Sequence, residues 1–127
     1  MSEPQEIHMV LLSNEPERVY PAFMLALGAV AMNAKVNIYC AMKGLDVIKK
    51  GAAEKIQLPG APPLSQLIRD AISSGVRICA CAPSKDMLKQ MGVTEETVEE
   101  GVELEDVVVF LRSALPAAKK GGLVFFV

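Results

Sequence analysis

Two cysteines close a short apolar run near the middle of the chain, and their spacing makes thiol chemistry the first possibility. The run Ile78-Cys79-Ala80-Cys81 is followed directly by Ala82, Pro83, Ser84 and Lys85. Such a run predicts a buried strand, and Ser84 is a typical N-cap residue for a helix that begins at once. Cys81 would then lie at the mouth of the loop that joins the strand to the helix.

Cys81 is the candidate nucleophile, because a reactive thiol needs partial exposure and a positive local potential. The end of the strand provides the exposure, and the first amides of the helix capped by Ser84 provide the potential. Lys85 adds a formal positive charge. The alternative is that Cys81 is an inert, small hydrophobic residue at the end of a strand.

The two other cysteines are weaker candidates. Cys79 would face the same side as Cys81 in an extended strand, which would allow a redox pair or a metal pair. A disulfide between residues this close is strained, and zinc needs about four ligands where only His8 and Cys40 remain as soft partners. We therefore expect Cys79 to be a core residue. Cys40 ends a second predicted strand and could approach Cys81.

Apolar runs and helical patterns alternate along the chain. Buried strands are predicted for residues 7–12, 35–40, 76–81 and 123–127, with a very short one at 102–104. Helices are predicted for residues 18–32, 44–50, 64–73, 84–90 and 105–115. The first helix should begin near Arg18, because Pro21 is tolerated only in a first turn. The valines of the last segment favour a strand, but two acidic residues precede them and Lys-Lys-Gly-Gly follows the segment, so we predict a helix.

This alternation predicts an α/β fold, one domain over residues 1–127, with helices on both faces of a mostly parallel sheet. In such sheets, ligands and catalytic groups lie beyond the carboxyl ends of the strands. Asn14, Cys40 and Cys81 all lie at the carboxyl ends of predicted strands. We therefore expect them to share one edge of the sheet.

Composition and motifs exclude several classes of function. The net charge of -2 and the absence of a basic tract argue against nucleic acid and against attraction to a membrane surface. The longest apolar stretch, residues 19–32, is shorter than the ~20 residues of a membrane span. Neither a phosphate-binding glycine loop nor a dinucleotide fingerprint occurs, so no cofactor is expected. Three cysteines without a signal peptide indicate a reduced, cytoplasmic protein.

The first long helix is apolar almost all round, although a helix on a sheet needs only one apolar face. We therefore expect part of it to contact another subunit in a homo-oligomer.

The chain resembles the DsrE/DsrF-like family of small sulfur-relay proteins, which includes the TusD-type subunits. The resemblance covers nearly the whole chain and is carried by five segments: the strand at 7–12 with Pro16-Glu17-Arg18, the loop at 60–64, the strand at 76–81, the run at 81–88 and the segment at 92–102.

The resemblance implies a three-layer α/β/α sandwich around a five-stranded parallel sheet, assembled as trimers or hexamers. It also implies that an active cysteine receives sulfur as a persulfide and hands it to a partner protein, and that cysteine is Cys81 here. Cys79 is an extra thiol. Many similar proteins are labelled predicted peroxiredoxins, but the Thr and Arg partners of a peroxidatic cysteine are not found near Cys81.

Three hypotheses follow from the sequence. The first is a sulfur carrier that uses Cys81, with Ser84 and Lys85 supporting the sulfur and with separate donor and acceptor proteins as partners. The second is a non-catalytic, oligomeric assembly module with the same fold. The third is a thiol redox protein that uses Cys79 and Cys81.

Overall fold

The computed structural model describes residues 4–82, 85–90, 92–94 and 97–127, except for the side chains of Lys85, Met87 and Leu88. Five strands form one parallel sheet in the order β4-β3-β2-β1-β5. The strands are β1 (Glu6–Leu11), β2 (Lys35–Cys40), β3 (Arg77–Cys81), β4 (Glu103–Glu105) and β5 (Leu123–Phe126). The predicted α/β fold with a mostly parallel sheet is confirmed.

Helices connect the strands and cover both faces of the sheet. They are α1 (Pro16–Ala31), α2 (Leu45–Ile48), α3 (Leu64–Ser73), α4 (Lys85–Gln90) and α5 (Val107–Lys119), with short 3-10 turns at Met42–Gly44 and Ala52–Lys55. Residues of α1, α2 and α3 pack on one face, and residues of α5 pack on the other. The expected three-layer sandwich is confirmed.

Side chains alternate across the sheet, so each strand contributes to two different cores. Met9, Ile38 and Ile78 point toward α1, α2 and α3, where the larger core lies. Val10, Tyr39 and Cys79 point the other way, into a small core that Phe110 and Ala114 of α5 complete. We call this second side the α5 face. It carries both the small core and most of the buried polar side chains described below.

Helix α1 begins at Pro16, two residues earlier than predicted, and it contains Pro21 beyond its first turn. Proline cannot donate the backbone hydrogen bond that would reach Glu17. Both Pro21 and Glu17 are exposed, so water can satisfy the freed carbonyl group. The proline is therefore tolerated without ending the helix. Asn33 then turns the chain out of the helix with a φ of 67°, the left-handed conformation that asparagine accepts.

Helix α5 forms from the valine-rich segment whose propensity alone favours a strand. The Asp106 side chain accepts a hydrogen bond of 2.9 Å from the amide of Val109, which is a typical N-cap contact. The helix runs from 107 to 119 rather than from 105 to 115, because β4 takes up residues 103–105. Helix was the right prediction for this segment, and its boundaries were wrong by a few residues.

Among the helices that the structure describes, none is both long and apolar enough to cross a membrane.

Candidate active site

Cys81 ends β3 at the carboxyl edge of the sheet, where the sequence placed it. It lies opposite Glu105 in the register between β3 and β4, and the amide of Ala82 donates to the Glu105 carbonyl oxygen at 3.0 Å. Its side chain packs at the border of the small core and is partly exposed. Cys81 is therefore anchored by the sheet on one side and open to solvent on the other.

Cys79 lies two residues earlier on the same face and is fully buried, and the sequence predicted both features. Its Sγ atom lies 3.5 Å from Oδ1 of Asn37 and 3.5 Å from Oε2 of Glu105, so the thiol serves as a weak donor. Burial first, and then the charge of Glu105, raise the pKa of Cys79 to about 12. At neutral pH Cys79 is a protonated thiol, which is a poor nucleophile.

Cys40 does not approach Cys81, contrary to the expectation from its position at the end of β2. It pairs with Ala80 across the sheet, and the alternation of side chains turns it toward the large core under α1. It is fully buried, and this burial raises its pKa well above the ordinary value. Cys40 and Cys81 both end strands at the same edge of the sheet. Their register positions differ by one residue, so their side chains point to opposite faces.

Asn14 also lies away from Cys81. Its amide donates to Oδ2 of Asp46 in α2 at 3.1 Å. Asn14 and Asp46 line a cleft together with residues at the start of α1. Helix α2 belongs to the larger core, so the Asn14 side chain is placed with that side of the sheet rather than with the α5 face.

Two further predicted site residues lie wholly or partly outside the part of the chain that the structure describes. Ser84 lies outside the described residues, and α4 begins at Lys85, whose side chain is not described. The capping role of Ser84 and the charge contributed by Lys85 stay predictions.

Tyr39 is the residue near Cys81 that the sequence did not single out. Its ring stacks on Phe110 of α5, with the ring centroids 4.7 Å apart and an angle of 28° between the planes. Burial raises the pKa of Tyr39, and the neighbouring Cys81 side chain raises it further. Tyr39 stands two positions after Asn37 in β2, so the alternation of the strand pattern is the signal that could have placed it on this face.

A buried carboxylate lies behind the two thiols. Arg77 Nη2 contacts Oε2 of Glu105 at 2.5 Å and Oε2 of Glu103 at 2.7 Å. Glu105 is buried, and its other oxygen, Oε1, has no hydrogen-bond partner among the described residues. Ligand atoms of Cys79, Glu103 and Glu105 lie within 4.8 Å of one another, close enough for a metal ion. The Arg77 guanidinium already supplies positive charge to both carboxylates, so we interpret this cluster as an ion-pair network.

The network continues across the α5 face as far as β1. Asn37 Nδ2 lies 3.4 Å from Nδ1 of His8, and Nε2 of His8 lies 3.1 Å from Oε1 of Glu6. His8 is a buried member of this network. The polar chain keeps Cys79 hydrogen-bonded in the core, which leaves Cys81 as the thiol at the mouth.

Comparisons with known proteins agree with this architecture. Residues 8–118 match the model of the DsrE/DsrF-like family. The chain is also 36% identical over 95 residues to an uncharacterized protein of Methanocaldococcus jannaschii. That similarity covers 75% of this chain but only 34% of the relative, so the chain spans about a third of the length of the curated relative it matches. The family match includes Tyr39, Cys79, Cys81 and Glu105, and the chain belongs to the DsrE/DsrF-like family.

Proposed function

We propose that this protein is a sulfur carrier in which Cys81 accepts sulfane sulfur, holds it as a persulfide and passes it to a thiol of a partner protein. The observation that carries the proposal is the position of Cys81. Of the chain's three cysteines, all of which the structure describes, it alone is not buried. The sulfur-relay role associated with the DsrE/DsrF-like family supports the same residue.

The proposed transfer is two nucleophilic displacements at sulfur with no net oxidation. In the first, the Cys81 thiolate attacks the outer sulfur of a donor persulfide, R–S–SH. A new bond forms between Sγ and that sulfur, the donor S–S bond breaks, and the donor leaves as the thiolate RS⁻. In the second, an acceptor thiolate attacks the outer sulfur on Cys81, and Cys81 leaves as a thiolate. Each step conserves charge and electrons.

The other two thiols are poorly suited to this chemistry. Thiolates are the reactive species, and the raised pKa values of Cys79 and Cys40 keep both of them protonated near neutral pH. Both are also out of reach of a protein donor, because neither side chain contacts solvent. This contrast supports a carrier with one working cysteine rather than a pair.

Persulfide trapping tests the proposal. The protein is incubated with sodium polysulfide, desalted, and alkylated with iodoacetamide, and the peptides are then sequenced by mass spectrometry. We expect an alkylated persulfide, one sulfur heavier than the alkylated thiol, on Cys81. Cys79 and Cys81 lie between Arg77 and Lys85 and share one tryptic peptide, so fragment ions that separate the two residues are needed. A reducing agent should remove the adduct.

Matched variants decide between the carrier and its alternatives. The adduct should disappear in Cys81→Ser and persist in Cys79→Ser. Absence of any adduct in the wild-type protein would contradict the carrier and favour a non-catalytic assembly module. A reversible disulfide within the Cys79 and Cys81 peptide, formed in preference to the persulfide, would favour a thiol redox protein.

Homo-oligomer formation is a further part of the proposal, supported by exposed apolar side chains. Met24 and Leu25 lie on α1, and Met32 directly follows it. The larger group is on the outer side of α5 and on β5: Val107, Val108, Leu111, Leu115, Val124 and Phe126. Sedimentation velocity of the wild type should show a species larger than the 13.6 kDa chain. Leu115→Glu should shift it toward the monomer, and a monomeric wild type would contradict this part.

Sulfur donor and acceptor proteins in a reducing, cytoplasmic setting complete the proposal. Thiols such as Cys81 stay available for persulfide exchange only where disulfides do not accumulate.

A further inference from the structure

Tyr39 carries a buried hydroxyl group that lacks a hydrogen-bond partner among the described residues. Its side chain is almost completely buried, at 3% exposure. Buried hydroxyl groups are normally paired, because an unmet donor in the core costs free energy. The chain's other tyrosine follows this rule, since the hydroxyl of Tyr20 donates to the carbonyl oxygen of Pro62 at 2.8 Å. The hydroxyl of Tyr39 therefore departs from the rule that Tyr20 follows.

The position of Tyr39 directs this unmet donor toward Cys81. Tyr39 pairs with Cys79 in the parallel register, so Cys81 is its diagonal neighbour on the same face of the sheet. Stacking on Phe110 fixes the plane of the Tyr39 ring. Burial and the neighbouring Cys81 side chain raise the pKa of Tyr39, so the phenol keeps its proton over the range in which a thiol becomes charged.

We propose that the Tyr39 hydroxyl is the hydrogen-bond donor to the anionic Sγ atom of Cys81. The donor is idle while Cys81 is a neutral thiol, and it is used when Cys81 becomes a thiolate. Under the proposed function, on which this part of the inference rests, the thiolate occurs twice: as the attacking group when sulfur is loaded and as the leaving group when sulfur is passed on. Tyr39 contacts the reacting atom in both steps.

A hydrogen bond to a thiolate has two opposite effects on its reactivity. It increases the fraction of thiolate at a given pH, and it lowers the nucleophilicity of each thiolate. Suppose that the bond increases the ratio of thiolate to thiol about tenfold. A Brønsted coefficient of about 0.4–0.5 then lowers the nucleophilicity of each thiolate by about threefold. If the donor is removed, the pH profile of the Cys81 reaction rate should therefore cross the profile of the wild type.

The experiment is the rate of alkylation of Cys81 by iodoacetamide between pH 6 and pH 11, read by peptide sequencing. Tyr39→Phe removes the hydroxyl and keeps the stacked ring. We expect the midpoint of the pH profile to rise by about one unit, with alkylation about threefold slower at pH 7 and about threefold faster at the alkaline plateau. Tyr20→Phe is the matched control, because it removes a buried hydroxyl that is already paired, and its profile should equal that of the wild type.

An alkylation rate that is higher at every pH, or lower at every pH, than that of the wild type would overturn the proposal. Such a result indicates altered access of iodoacetamide to Cys81, which changes the rate by the same factor at neutral and alkaline pH. An unchanged profile would overturn it as well. Circular dichroism first establishes that the variant is folded. If it is not, 3-fluorotyrosine incorporated into the Tyr20→Phe protein labels Tyr39 alone, since the chain has two tyrosines. The more acidic phenol is a stronger donor, so the midpoint should fall, and a midpoint that does not fall refutes the contact.

The consequence for sulfur transfer is measured separately. Persulfide on Cys81 is released with cyanide as thiocyanate, and Cys81 leaves as a thiolate. Tyr39→Phe should release thiocyanate about threefold more slowly, because the leaving thiolate has lost its donor. If the wild type forms no persulfide, the proposed function fails, while the alkylation profile still decides whether Tyr39 contacts the thiolate.

Discussion

Replacing Cys79 with serine should remove part of the sensitivity of the folded protein to alkali. The thiol has an ordinary pKa of 9.0 and a pKa of about 12 in the folded chain, because burial and then the charge of Glu105 disfavour its thiolate. A group with a raised pKa stabilises the fold fully below its unfolded pKa and loses this contribution as pH rises toward its folded value. The relevant window therefore extends from about pH 9 to pH 12.

The magnitude follows from the two pKa values. At pH 10, one unit above the unfolded value, the wild-type chain should have lost about 1.4 kcal/mol of its free energy of unfolding through this one thiol. Serine does not titrate in this range, so Cys79→Ser should lack that part of the loss. The substitution also lowers stability at neutral pH, and the readout is therefore the change with pH rather than the absolute value.

The assay is urea unfolding at pH 7, 8, 9 and 10 in the presence of a reducing agent, for the wild type, Cys79→Ser and Cys81→Ser. Between pH 7 and pH 10, Cys79→Ser should lose about 1.4 kcal/mol less than the wild type. Cys81→Ser, which alters the partly exposed thiol, is the control and should not show this reduced loss. If Cys79→Ser and the wild type lose the same free energy, Cys79 is not held as a neutral thiol by the core.

Three further pairs of substitutions should alter the free energy of unfolding in urea at pH 7. Arg77→Ala leaves a buried carboxylate without its cation and should cost about 2–3 kcal/mol, whereas Glu103→Gln at the exposed end of the network should cost less than about 1 kcal/mol. Asp106→Ala removes the N-cap of α5 and should cost about 1 kcal/mol, with the loss largely restored by asparagine. Gly28→Ala in α1 meets open space and should gain about 0.5–1 kcal/mol, whereas Gly44→Ala would overlap a backbone carbonyl of β1 and should cost about 3 kcal/mol or more. Equal effects of the two glycine variants, of Arg77→Ala and Glu103→Gln, or of alanine and asparagine at 106 would contradict the corresponding contacts.

The sheet could be predicted from the sequence because its strands are short apolar runs separated by clear helical patterns. The position of Cys81 at a strand end followed from the same pattern, as did the common face of Cys79 and Cys81. The predicted start of α1 is two residues too late, because a proline beyond the first turn is tolerated where its side of the helix is exposed, as it is at Pro21. Local rules for proline assume a helix whose every backbone group must be paired within the protein.

The surroundings of Cys81 could not be predicted in the same way. Whether Cys40 or Tyr39 faces Cys81 depends on the register of β2 against β3, and a shift of one residue would exchange them. The burial of Glu105 depends on β4, a strand of three residues whose bounds were misplaced by one. His8, Asn37 and Cys79 each follow another polar or charged residue by two positions, with one apolar residue between them. This alternation was a readable sign of a polar face.

The charge of Arg77 has a bearing on which cysteine can do chemistry at all. A slide of β3 by two residues relative to its neighbours would keep every side chain on its own face and would bring Cys79 to the place now held by Cys81. The alternation of side chains in β3 therefore does not forbid this exchange. Arg77 does oppose it, because the same slide would carry Arg77 to the place now held by Cys79, which is fully buried in the small core. A charged residue at the amino end of a strand thus helps to fix which thiol is presented at its carboxyl end.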